Sequence, residues 1–203
     1  MKLSISNIAW PSEQDETVYA LMKQYGFTGL EIAPTRWVAE KPYEHIPEAY
    51  EKYMRLNRKY GLQIASIQSI WYGRCENIWE SAEDREKLME YTKEAIDYAA
   101  ALKCRNLVFG CPRNRNRPEN AEESEVLSFF HELGIYAEAH NTVLALEANP
   151  PIYHTNYINN TEDAIALIKR ISISGFQLNL DVGTMLENGE NIDGLRKNWV
   201  CVN

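Results

Sequence analysis

Positive charge is scarce in this 203-residue sequence: 21 lysines and arginines stand against 29 aspartates and glutamates, a formal net charge of −8. That diffuse acidic balance disfavours a phosphate backbone, so no nucleic-acid partner is expected. No apolar run approaches the ~20 residues of a membrane span. Residues 1–10, with a lysine, two serines and an asparagine, have no signal-peptide core. No membrane partner and a cytoplasmic location are therefore expected. The four cysteines, Cys75, Cys104, Cys111 and Cys201, show no paired spacing. This speaks against a disulfide framework and a zinc ribbon and for reduced thiols. No Gly-x-Gly-x-x-Gly or Walker-type loop follows any apolar run, and no Gly-x-Ser-x-Gly elbow or Cys-x-x-Cys occurs. The usual nucleotide, serine-hydrolase and dithiol chemistries thus lose their sequence signals.

What is present is a globular composition, 45% apolar, 11% aromatic and 25% charged. A chain of this length buries roughly 70% of its unfolded surface, enough for one domain spanning 1–203. Short apolar runs at 3–9, 29–33, 62–70, 106–109, 142–147 and 176–181 alternate with helical periodicities. Ser12 is expected to cap a helix whose face is Val18, Leu21, Met22 and Tyr25, with Gly26 as its stop. Pro47 suits a helix start. Leu88, Thr92, Ala95, Ile96, Ala99 and Leu102 form the clearest stripe. Residues 119–141 read as mostly helical with a break near Gly134, and Asn160 or Thr161 as the cap of the next helix.

The runs begin about 35 residues apart, the pattern of βαβ units on a parallel sheet. A barrel and a doubly wound sheet both fit. The missing nucleotide loops favour the barrel, and so does the alternation within strands. Glu31, Ala145, Glu147, Gln177, Asn179 and Asp181 fall on small or polar faces opposite Leu30, Ile32, Leu144, Leu146, Phe176 and Leu178. The predicted fold is α/β, of (β/α)8 TIM-barrel type, incomplete, with about six βα units and no strands seven and eight.

Glu147 and Asp181 each end a predicted strand on the interior face, at the carboxyl end where parallel α/β folds carry their sites. Neighbouring strands lie about 4.8 Å apart, close enough for the two carboxylates to share one divalent cation. The alternative, in which each acid caps the next helix or pairs with a base, stays open beside it. Glu31 and Gln68 end the second and third runs in the same way. The loop CPRNRNRPEN at 111–120 follows the fourth run and offers Arg113 for a phosphate or sugar hydroxyl. Arg115 and Arg117 read as solvated loop residues. Asn149 and His154 follow Glu147 and are expected to line the cleft, whereas His45, His131 and His140 read as surface residues.

In the order of its motifs the sequence resembles the xylose isomerase-like TIM-barrel superfamily, in particular its sugar phosphate isomerase/epimerase branch. The matching stretches are GLEIAP around Glu31, FGCPRNRN around Arg113, LALEANPP around Glu147 and LNLDVGTM around Asp181. The resemblance implies one divalent metal (Mn, Mg, Co or Zn) on Glu147 and Asp181, and Glu147 as an acid/base at a ketose or sugar phosphate. Proton transfer then passes through a cis-enediolate. It also implies a histidine from strand seven and a glutamate from strand eight, which this sequence does not supply. Thr184 stands where the family often has the histidine of an Asp-x-x-His pattern. The remaining readings are a keto-inositol dehydratase-like lyase and a non-catalytic truncated barrel that pairs with a second copy through the edge of its sixth strand. An endonuclease IV-like repair enzyme fits poorly, with four histidines and a charge of −8.

Overall fold

The computed structural model describes residues 2–203. Six strands form one sheet: β1 (Ser4–Ser6), β2 (Gly29–Ile32), β3 (Gln63–Ile67), β4 (Leu107–Phe109), β5 (Leu144–Leu146) and β6 (Phe176–Leu178). The helices are α1 (Asp15–Gln24), α2 (Pro34–Trp37), α3 (Ile46–Tyr60), α4 (Ala82–Ala101), α5 (Ser124–Ala139), α6 (Thr161–Ile171), α7 (Val182–Asn188) and α8 (Asp193–Asn198). Every strand pairs in parallel with the next in chain order. A doubly wound sheet reverses its strand order part-way, whereas a barrel winds on in one direction. The order therefore decides for the barrel.

The strand alternation explains the layering. Leu30, Ile32, Leu107, Phe109, Leu144, Leu146 and Phe176 are completely buried against the helical layer. The α4 stripe from Leu88 to Ala99 meets them. Phe130 of α5 joins two strands, 5.3 Å from the Phe109 ring edge-on and 5.1 Å from Phe176 in a stacked pair. Local signals set the helix ends. Asn160 accepts from the Asp163 amide at 2.8 Å, and Gly61 closes α3 with φ 75°.

Three local expectations are corrected. Ser12 caps nothing: a 3-10 turn over Ser12–Gln14 precedes α1, and the Ser12 hydroxyl faces the Glu13 carboxylate instead. Helix α5 is unbroken at Gly134, because that glycine serves close packing. A Cβ there would stand 3.2 Å from both Ile173 Cγ2 and Phe176 Cβ. The sixth strand stops at Leu178, so Asp181 lies beyond it. The edge of β6 is also partly covered: Val202 bridges Leu178 in parallel, and the Asn203 amide donates to the Leu178 carbonyl at 3.0 Å. At the other edge, Ile5 of β1 and Leu3 just before it remain over a third exposed. No helix among the described residues is long and apolar enough to cross a membrane.

Candidate active site

Glu147 is the residue after β5. Its amide still donates to the Phe109 carbonyl at 2.9 Å, so the strand ladder fixes its backbone. Its half-buried carboxylate is held from two sides. Asn149 donates to Oε1 at 3.2 Å and Asn179 to Oε2 at 2.8 Å. Asn149 is itself oriented by Arg115, whose Nη2 donates to its Oδ1 at 2.8 Å. A guanidinium can only donate, so the amide must present oxygen to Arg115 and NH2 to Glu147. Arg115 Nη1 also donates to the Glu147 carbonyl at 3.0 Å. Gly110 leaves room for this arrangement, since a Cβ there would stand 3.2 Å from Glu147 Oε1 and 3.4 Å from Asn149 Oδ1.

Arg115 is completely buried, which overturns its reading as a solvated loop residue. The loop folds inward because Trp79 holds the Arg115 carbonyl through its indole N–H at 3.0 Å. Burial pulls the guanidinium down to about 10, still well above neutrality. Burial likewise raises the Glu147 carboxyl above its ordinary value, and the charge of Asp181 adds to it. Asn149, Asn179 and Arg115 pull the other way.

Asp181 caps α7. Its Oδ1 accepts from the Gly183 amide at 2.9 Å, and its Oδ2 from the Thr184 amide at 3.1 Å and the Thr184 hydroxyl at 2.8 Å. Thr184 is buried, and its hydroxyl also lies 3.0 Å from the Ala148 carbonyl. It thereby ties α7 to the segment that follows β5. Asp181 is thus the cap of α7, and its charge is felt at Glu147 as well. One lone pair remains on each Glu147 oxygen and one on Asp181 Oδ1 by this hydrogen-bond count. An all-oxygen pair with three free positions suits a hydrated hard cation such as Mg²⁺ or Mn²⁺. It is not a closed shell: no group of three His, Cys, Asp or Glu side chains comes together among the described residues.

Glu31 and Gln68 meet on the interior face, where Gln68 Nε2 donates to Glu31 Oε1 at 2.9 Å and to Ser6 Oγ at 2.7 Å. A second polar chain runs from Ser66 through Asn106 to Asn179. Arg113 and His154 are exposed, with no side-chain hydrogen bond among the described residues, and His154 sits in a left-handed turn with φ 58°. Arg117 packs over the Trp79 ring at 5.1 Å and donates to the Ala121 carbonyl at 2.9 Å. Arg115 and Gly110 escaped sequence reasoning as parts of this site. Asn179 left a signal in its place on the polar face of the sixth run, and Thr184 in its place in the Asp-x-x-His pattern.

Residues 19–199 match the family described as "Xylose isomerase-like TIM barrel". The chain belongs to that family. No curated protein matches the sequence at a significant level. Among solved structures, this xylose isomerase-like barrel is similar to 3-keto-D-glucoside 4-epimerase YcjR from E. coli, at 19% identity and TM-score 0.76, covering 100% of this chain and 76% of that one. D-psicose 3-epimerase from Clostridium cellulolyticum H10 superposes with TM-score 0.76 at 14% identity, over 100% and 71% of the two chains. The probable 3-DHS dehydratase AsbF from Bacillus anthracis gives TM-score 0.69 at 19% identity, over 100% and 71%. At such identities the likeness speaks for the fold. Epimerases and a dehydratase share it.

Proposed function

We propose that this xylose isomerase-like chain is a metal-dependent sugar or sugar phosphate isomerase or epimerase, with Glu147 as its acid/base. The observation that carries this reading is one half-buried carboxylate, oriented on both oxygens by amides and feeling the charge of a second carboxylate, Asp181. Glu147 and Asp181 would hold the divalent cation, and their oxygen character favours Mg²⁺ or Mn²⁺ over Co²⁺ or Zn²⁺. A cation bound there supplies polarisation of a sugar carbonyl and acidifies the adjoining C–H.

The chain's own groups do the rest. Glu147 takes the proton from the carbon next to the carbonyl and returns it. Its raised pKa makes it a stronger base than an ordinary carboxylate. Asn149 and Asn179 fix the plane of that carboxylate and leave a lone pair on each oxygen. Glu31, held by Gln68, offers an acceptor to a sugar hydroxyl. Arg113 and His154, exposed in the segments after β4 and β5, would serve a phosphate.

A dehydratase is the second reading, favoured by the likeness to AsbF. It begins with the same proton abstraction and continues by loss of a neighbouring hydroxyl.

Calorimetric titration with MgCl2 and MnCl2 tests the cation site. Affinity should fall at least tenfold in Glu147→Gln and in Asp181→Asn. Equal affinity in both variants would remove the metal assignment. A ketose and ketose phosphate panel incubated in D2O then separates the chemistries by NMR. An isomerase or epimerase leaves deuterium at carbon in an isomeric sugar, whereas a dehydratase yields an unsaturated product.

A further inference from the structure

A second cleft lies in the helical layer between α1 and α3, lined by none of the residues around Glu147. Its volume is about 530 Å³, within the roughly 300–1,000 Å³ of small-molecule sites. Two observations set it apart.

The first is a pair of orphaned polar atoms. Tyr19 and Trp37 both line the cleft and are only 5% and 8% exposed, yet the Tyr19 hydroxyl and the Trp37 indole N–H have no hydrogen-bond partner among the described residues. The two side chains are neighbours, but outside hydrogen-bond geometry. An unmade bond at a buried polar atom costs about 1–3 kcal/mol, and here both such atoms belong to side chains that line one cavity. Burial holds the Tyr19 phenol up at about 12, so its proton stays available to donate.

The second is uncompensated charge. Both acids in the wall already have partners. Asp15 accepts from Arg36 at 2.9 Å and from the Trp10 indole at 2.8 Å, and Glu16 accepts from Lys59 and Tyr60. Lys52, Arg55 and Arg58 also line the cleft and form no salt bridge with a carboxylate among the described residues. Three unpaired cations gather here on a chain of net charge −8. Lys52 is half-buried, its ammonium 5.4 Å from the centre of the Trp37 ring.

We propose that this cleft binds a small ring-bearing phosphate ester. Lys52, Arg55 and Arg58 surround the phosphate, the Trp37 N–H and Tyr19 O–H donate to it, and the ring packs on the aromatic floor. Phosphate fits better than carboxylate. A monoester carries about −1.5 to −2 charge near neutrality and has three acceptor oxygens, against three cations and two further donors here. The floor of Tyr19, Trp37, Leu56 and Tyr60 supplies the apolar contact that inorganic phosphate cannot use.

The test follows the tryptophan indole signals of 15N-labelled protein, five in number, with the Trp37 signal assigned through Trp37→Phe. Inorganic phosphate and phenyl phosphate are the probes. The Trp37 signal should move saturably with both, and phenyl phosphate should bind at least tenfold more tightly. Lys52→Met should weaken phenyl phosphate tenfold or more, while Lys52→Arg should retain binding, with unchanged melting temperatures showing that both variants fold. Binding unaffected by Lys52→Met, or a Trp37 signal that stays still or drifts without saturation, would overturn the proposal.

Discussion

Replacing Arg115 by methionine tests whether the buried guanidinium holds the Glu147 end of the barrel together. Arg115 is completely buried and binds three acceptors: the Glu147 carbonyl at 3.0 Å, Asn149 Oδ1 at 2.8 Å and the Ile158 carbonyl at 3.4 Å. Methionine keeps much of the stem volume and removes all three bonds. The two short ones have a charged donor, which makes each worth about 1.5–3 kcal/mol, so the gross loss is about 3–6 kcal/mol. Removing a desolvated cation that no carboxylate pairs returns part of that. The net destabilisation should be about 2–4 kcal/mol. For a chain of this size each kcal/mol lowers Tm by about 2–4 °C, so the expected drop is about 5–15 °C. Thermal melts followed by circular dichroism, with urea titrations beside them, measure it. Arg115→Lys keeps the charge but loses the fork, and should recover about half of the loss. If Arg115→Met melts within about 2 °C of the parent, the polar chain from Arg115 through Asn149 to Glu147 does not hold this end together.

Further perturbations probe the rest of the frame. The Glu147 carboxyl has its folded pKa raised above 4.5, so the folded state binds its proton more tightly than the unfolded chain. Its contribution to stability is present at low pH and is lost as pH rises through the folded value. The unfolding free energy of the parent should therefore fall relative to Glu147→Gln between pH 3 and 7 in urea titrations, and a constant difference would contradict the assignment. Asp181→Ala removes the cap of α7 and should cost about 1 kcal/mol, whereas Asp181→Asn keeps an acceptor and should cost only a few tenths. Equal melting temperatures for the two would show that the cap contributes nothing. Gly175→Ala would place a Cβ 2.1 Å from the Gly134 carbonyl oxygen and 2.6 Å from the Glu138 amide nitrogen. Both are backbone atoms of α5 and cannot yield. The variant should lose more than about 3 kcal/mol in urea unfolding, and near-parental stability would refute the close α5–β6 approach.

The fold was legible because its signals are local. Alternation in 142–147 and 176–181 marks which face of a strand meets the helices, and the α4 stripe from Leu88 to Ala99 is buried as its spacing requires. Boundaries were less legible. Gly134 reads as a helix break until Ile173 and Phe176 are seen pressed against it. Part of the site was legible too: Glu147 and Asp181 stand out as acids on the polar face at the ends of apolar runs.

The chain's own order of residues thus determined a parallel α/β barrel wall, the acids at its carboxyl end and the acidic surface, since periodicity and charge act over a few residues. Tertiary structure alone decided which neighbours set those acids' chemistry. Arg115 lies 32 positions from Glu147 in the chain and Asn179 another 32 beyond it, yet both hold that residue. Thr184 reaches back across 36 positions to Ala148. In the sequence an arginine in a polar loop looks solvated. Only the closing of loop over strand buries it, and burial turns its charge and its fixed donors into the support of a carboxylate.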